Sequence, residues 1–265
     1  SIADRVATLE LAREVVDFRA ERTVAAIHKA ITNRATLPAP SRSSNASGPR
    51  SARPALNPRS MGGGNCDANE FNCADTPNPL PRADTVWLEE MTWMDVRDAL
   101  KAGQTTAIIP TGGIEPNGPW LVTGKHNHVL RANCTAIARE LGDAICTPIV
   151  KLVPEGSIDP PSGHMRSPGT LSLRQETFEA VLTDVARSLK THGFRNIIFI
   201  GDSGGNQRGQ RTVAENLTAE WQGSAVVAHV QEYYDYASVA KYMAYRGLEA
   251  GKSDGLHDDP VITLN

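Results

Sequence analysis

Residues 195–207 read RNIIFIGDSGGNQ, and the order of events in that stretch decides the fold. Four consecutive apolar residues, Ile197 to Ile200, are too few for a helix and lack the alternation of a half-exposed strand, so they read as a strand buried on both faces. The glycine-rich turn that follows leads into a helical pattern over 206–221. The same sequence of events occurs upstream, where TTAIIP at 105–110 precedes a loop with Gly112, Gly113, Gly118 and Gly124 and then a helix over 127–141. Strands at 144–150 and 224–230 and helices at 93–102 and 174–192 complete an alternation that implies a three-layer α/β/α fold with a mostly parallel sheet. Ligands of such sheets bind beyond the carboxyl ends of the strands, which directs attention to the loops after Pro110 and Ile200.

The rest of the 265-residue chain falls into two further parts. Residues 1–35 carry apolar Ile2, Val6, Leu9, Val16, Val24, Ile27 and Ile31 near helical spacing and predict a long amphipathic helix. Residues 36–81 are rich in Pro, Ser, Arg, Gly and Asn and read as a linker or extended arm; residues 82–265 hold the α/β domain. The net charge is -3, with acidic and basic residues interspersed, and offers no broad basic face for nucleic acid. No apolar run approaches the roughly 20 residues that span a bilayer, and the first residues, with Asp4, Arg5, Glu10 and Arg13, are not expected to act as a signal peptide. Cys66 and Cys73 flank a short polar loop and are expected to form a disulfide, which would point to a periplasmic or secreted setting; without it the cytoplasm is expected. Cys134 and Cys146, in apolar regular sequence, are expected to be free buried thiols.

The two loops carry the chemistry: TGGIEPNGPWLVTGKHNH at 111–128 and GDSGGNQ at 201–207. The second could be a plain strand-to-helix turn or a phosphate cradle. It has no GK[ST] and no GxGxxG, and Asp202 would repel phosphate. Glu115 could instead cap a helix or pair with Lys125, Asp202 could cap the following helix, and His164 could be a packed loop histidine.

In these motifs the chain resembles the creatininase family. GGIEPNGPWLVTGKH at 112–126 follows the family pattern G-S-x-E-x-H-G-P-H-L-P-x-G-x-D without a gap. GHMRSPGTLSL at 163–173, GDSGGNQ at 201–207 and GLHDD at 255–259 match three further elements in order. The resemblance implies a metal-dependent amidohydrolase acting on an amide C–N bond of a small molecule, often cyclic, in a homo-oligomer. Of the family's metal ligands, Glu115 is kept, a histidine becomes Asn117, an aspartate becomes His126, and another histidine becomes Ser203 with Asp202 beside it. The expectation is therefore one divalent ion per chain, Zn²⁺ or alternatively Mn²⁺ or Fe²⁺, on Glu115, His126 and Asp202. His257, Asp258 and His164 are expected to serve catalysis, and Asn117, Trp120, Ser203 and Asn206 to line the substrate pocket. The alternative is a non-catalytic protein that binds a small ligand at a degenerate metal site. A serine hydrolase built on Ser203 is disfavoured, because GDSGG lacks the G-x-S-x-G elbow.

The first helix resembles the helix that closes this family, yet here it precedes the domain. Ser44-Asn45-Ala46 resembles the scar left by tag cleavage. The order thus reads as circularly permuted, the alternative being a natural N-terminal helix and linker.

Overall fold

Strand side chains alternate between two cores, and that alternation sets the layers. Strands β1 (Thr106–Thr111), β2 (Ala144–Cys146), β3 (Asn196–Gly201) and β4 (Val226–His229) form one sheet in the order β2-β1-β3-β4. All three pairings are parallel, with Ile108 beside Ile198 and Cys146. Ala107, Ile109, Ile145, Ile197, Phe199 and Val227 face one core; Ile108, Ala144, Cys146, Ile198, Ile200 and Ala228 face the other. Period-two burial on both faces is why these strands are apolar throughout. The computed structural model of the chain describes residues 2–35, 66, 68–119 and 121–247.

Helices α2 (Trp93–Lys101), α4 (Gln175–His192) and α5 (Gly204–Trp221) cover the first face through Leu100, Phe178, Leu182, Val213 and Leu217. Helices α1 (Ile2–Ala35) and α3 (Lys125–Leu141) cover the second through Ala20, Val24, Ile27, Leu130 and Ile137. A last helix, α6 (Tyr236–Tyr245), packs Val239 and Met243 against Val15 of α1. Helix α2 starts at a reciprocal capping box: Thr92 accepts from the Asp95 backbone N–H, and Asp95 accepts from that of Thr92. Such a cap contributes about 1 kcal/mol. α3 and α4 stop at Gly142 and Gly193, both in the left-handed region that glycine adopts without strain.

The expected strand 144–150 ends at Cys146. Pro148 has no N–H for a ladder, and the chain returns to β1 only at Val150, which bridges Thr111 by donating its N–H to the Pro110 carbonyl and accepting from the Gly112 N–H. That detour begins the loop that carries Glu155. The expectation of free thiols at Cys134 and Cys146 is also corrected. α3 lies across β2 so that their Cα atoms are 6.4 Å apart, within bridging range, and the two residues form a disulfide between helix and strand. Apolar flanking sequence reports burial of a cysteine, not the distance to its neighbour. Cys66 and Cys73 form a second disulfide.

Candidate active site

β1 and β3 end side by side, and the segments that leave them are tied together before any site residue appears. Asn206 on α5 donates from Nδ2 to the carbonyls of Thr111 (2.9 Å) and Gly112 (2.8 Å). Gln210, one turn on, donates to the Thr111 hydroxyl at 2.7 Å. Asn117 donates to the carbonyls of Glu115 (2.9 Å) and Val122 (3.3 Å) and so closes the loop that presents Glu115. Two of the expected pocket residues, Asn117 and Asn206, are thus fully buried in the framework that holds the loops, away from the pocket wall. Ser203 does line the pocket. Trp120, His257 and Asp258 lie outside the described residues.

Glu115, His126 and Asp202, which the resemblance singled out, lie in contact with one another. His126 stands in the first turn of α3 with Nδ1 2.8 Å from Asp202 Oδ2 and Nε2 2.6 Å from Glu115 Oε1. Both ring nitrogens therefore face carboxylate oxygens. The second oxygen of Asp202 accepts from Arg19 Nη2 of α1 at 2.9 Å. All four side chains are buried. Burial opposes the charge on Asp202, but Arg19, His126 and Lys125 outweigh it and hold the carboxyl below its ordinary value. Burial likewise works against His126 as a cation; its bonds to Asp202 and Glu115 prevail and raise it. Lys125 goes the other way, lowered because burial outweighs the attraction of Asp202 and Glu115.

A further carboxylate, Glu155, was not among the residues singled out in the sequence. It lines the pocket beside Glu115 and Ser203, and burial together with the facing Glu115 pushes its carboxyl well above the usual range. Burial also opposes ionisation of Glu115, yet the hydrogen bond from His126 keeps that carboxylate well below the usual range. His164 Nε2 lies 3.4 Å from Glu115 Oε2 at the more open side. Glu115, Glu155 and His164 each offer a donor atom within 4.8 Å of the other two, the group of this kind found among the described residues. They open on a cavity of about 310 Å³ whose wall includes His126, Ser203 and Tyr234. Two glycines make the arrangement possible: a Cβ on Gly113 would overlap Glu155 Oε1, and one on Gly205 would overlap the Pro154 carbonyl. The signal for Glu155 was a lone charge between Pro154 and Gly156 in the otherwise uncharged stretch LVPEGSI.

A parallel α/β/α sheet with a carboxylate and imidazole pocket at its carboxyl edge defines the class. Residues 89–260 match the family model described as creatinine amidohydrolase (Creatininase), well over half of the chain. This chain belongs to the creatininase family. It is 26% identical over 116 residues to a creatinine amidohydrolase of Pseudomonas putida, covering 44% of each chain. It is also 27% identical over 125 residues to a 3-dehydro-scyllo-inosose hydrolase of Thermotoga maritima, covering 47% of this chain and 38% of that protein. The chain thus spans less than half the length of these curated relatives. A crystal structure of creatinine amidohydrolase resembles it with a TM-score of 0.50 and 22% identity over 56% of this chain and 57% of that one. A tryptophan-to-phenylalanine mutant of creatininase does so with a TM-score of 0.53 and 20% identity over 66% and 69%. These likenesses establish the fold.

Proposed function

We propose that this protein is a metal-dependent hydrolase of an amide C–N bond in a small molecule, with one divalent ion per chain held by Glu115, Glu155 and His164. The observation that carries this reading is the convergence of those three donor groups on one cavity. The donor set fits an ion. Two carboxylates buried against each other require a positive charge between them, supplied either by a shared proton or by a cation. Oxygen and imidazole nitrogen together suit Zn²⁺, with Mn²⁺ or Fe²⁺ as alternatives. His126 and Asp202, the other expected ligands, are committed to each other and to Glu115 and Arg19, which favours an orienting role for them.

When bound, the ion would polarise the scissile carbonyl and lower the pKa of a bound water. The chain's own residues do the rest. His126 fixes the Glu115 carboxylate through Oε1. Ser203 and Tyr234 form the wall against which the substrate is oriented. His257 and Asp258, from the motif GLHDD, are assigned the proton transfers on the strength of the family resemblance. Asn117 stands where the family has a histidine, and its amide is engaged with the carbonyls of its own loop. That supports a single ion rather than two.

The test is hydrolysis of a panel of linear and cyclic small amides by the metal-loaded protein, by chelated protein and by Glu155→Gln. Turnover that disappears on chelation, returns with metal and is absent from Glu155→Gln is expected. Bound metal with no turnover anywhere on the panel would instead support the ligand-binding alternative.

A further inference from the structure

Asp202 is neutralised from outside the pocket, by a residue of α1. Arg19 Nη2 donates to Asp202 Oδ1 at 2.9 Å and to the Tyr233 carbonyl at 3.1 Å, and its guanidinium lies 4.4 Å over the Tyr233 ring. The other Asp202 oxygen meets His126 Nδ1, and His126 Nε2 meets Glu115 Oε1. The result is an unbroken line of polar contacts through four segments: α1, the turn after β3, the first turn of α3 and the loop after β1.

We infer that Arg19 is a positioning residue of the active site, acting through Asp202 and His126 to fix the orientation of Glu115 and thereby the affinity of the metal site. The inference rests on the reading of Glu115, Glu155 and His164 as metal ligands. The simpler explanation is that the ion pair anchors α1 to the domain. α1 already has apolar anchors for that purpose, since Val15, Ala20, Val24 and Ile27 are all buried. A buried ion pair adds little net stability over apolar residues of similar volume, so anchoring alone gives no reason for a charge here. Asp202 also divides its oxygens, one to Arg19 and one to the imidazole that holds Glu115; an anchor would need only the first. A carboxylate whose orientation is fixed before the ion arrives loses less freedom on binding it, and partners of this kind typically change metal affinity by about 10–100-fold.

The experiment measures Zn²⁺ affinity of the full chain by competition with a chromophoric chelator, beside the imidazole N–H resonances of the metal-free protein. Arg19→Met should weaken Zn²⁺ binding by about 10–100-fold and abolish the downfield imidazole proton of His126, assigned by its absence from His126→Gln. Arg19→Lys, which keeps the charge, should restore most of both. Asp202→Asn should weaken binding as well, and Arg19→Met/Asp202→Asn should be no weaker than Asp202→Asn, because Arg19 acts only through Asp202. If Arg19→Met does not fold, the double variant, which leaves neither partner as an unpaired buried charge, is compared with wild type: weaker Zn²⁺ binding by about 10–100-fold with the His126 proton lost is expected, and unchanged affinity with that proton retained would overturn the inference. Arg19→Met with a lower melting temperature but unchanged Zn²⁺ affinity and an unchanged His126 proton would overturn the inference. So would a further loss of affinity in the double variant. Wild-type protein that binds no Zn²⁺ would overturn the metal reading instead, and the His126 proton in Arg19→Met and Arg19→Lys would still decide whether Arg19 orients this line.

Discussion

Glu155 and Glu115 face each other in the wall of one pocket, each offering a carboxylate oxygen within 4.8 Å of the other's. Two like charges cannot both be buried there without a proton or a cation between them. Burial beside Glu115 pushes the Glu155 carboxyl up, which favours a proton there unless a cation takes its place.

Metal binding should therefore release about one proton per ion at pH 7, because the ligand carboxyl must deprotonate. Calorimetric titration in buffers of different ionisation enthalpy measures this directly. Affinity should rise with pH, by up to about tenfold per unit. A binding enthalpy independent of the buffer would contradict the protonated pair.

The Cys134–Cys146 disulfide ties the helix that carries His126 to an edge strand of the sheet. Closing so short a loop contributes about 3 kcal/mol on chain-entropy grounds. Cys134→Ser/Cys146→Ser should lower unfolding stability by about that amount, and peptide mapping without reductant should recover the two cysteines in one cross-linked species. Alkylation of both in freshly isolated protein would count against the bridge.

His229, bonded through Nε2 to Gln207, is held down to about 4 by burial, with help from Arg211. Its folded value lies below the unfolded value of about 6.5, so the unfolded chain binds the extra proton between these limits. The stability it contributes is complete above about pH 6.5 and is lost as pH falls towards 4. Melting temperatures of wild type and His229→Gln from pH 7.5 to 4.5 should converge as pH falls. Parallel curves would show that His229 does not titrate as described.

The sheet was legible because fully apolar strands such as NIIFIG admit few other readings, and helix spacing placed α2 to α5 within two residues of their ends. Glu115, His126 and Asp202 were singled out through the resemblance of 112–126 and 201–207 to the family motifs. The buried ion pair that closes their line of contacts was not legible, since Arg19 lies 183 residues from its partner Asp202. Arg19 had a local signal nonetheless, a cation within the stripe of Val15, Ala20, Thr23 and Val24 that α1 buries. Glu155 sits in an irregular loop, where no periodicity assigns a side chain to a face, and the Cys134–Cys146 bridge depends on a helix-to-strand distance that no local pattern encodes.

The most direct measurement is the anomalous diffraction of a crystal of this chain soaked in Zn²⁺ or Mn²⁺, which places the ion without reference to activity. A single peak per chain bounded by carboxylate oxygens of Glu115 and Glu155 and a ring nitrogen of His164, each at about 2.0–2.2 Å, is the predicted result. An ion ligated by His126 and Asp202, two ions sharing Glu115, or no peak at saturating metal would contradict the account.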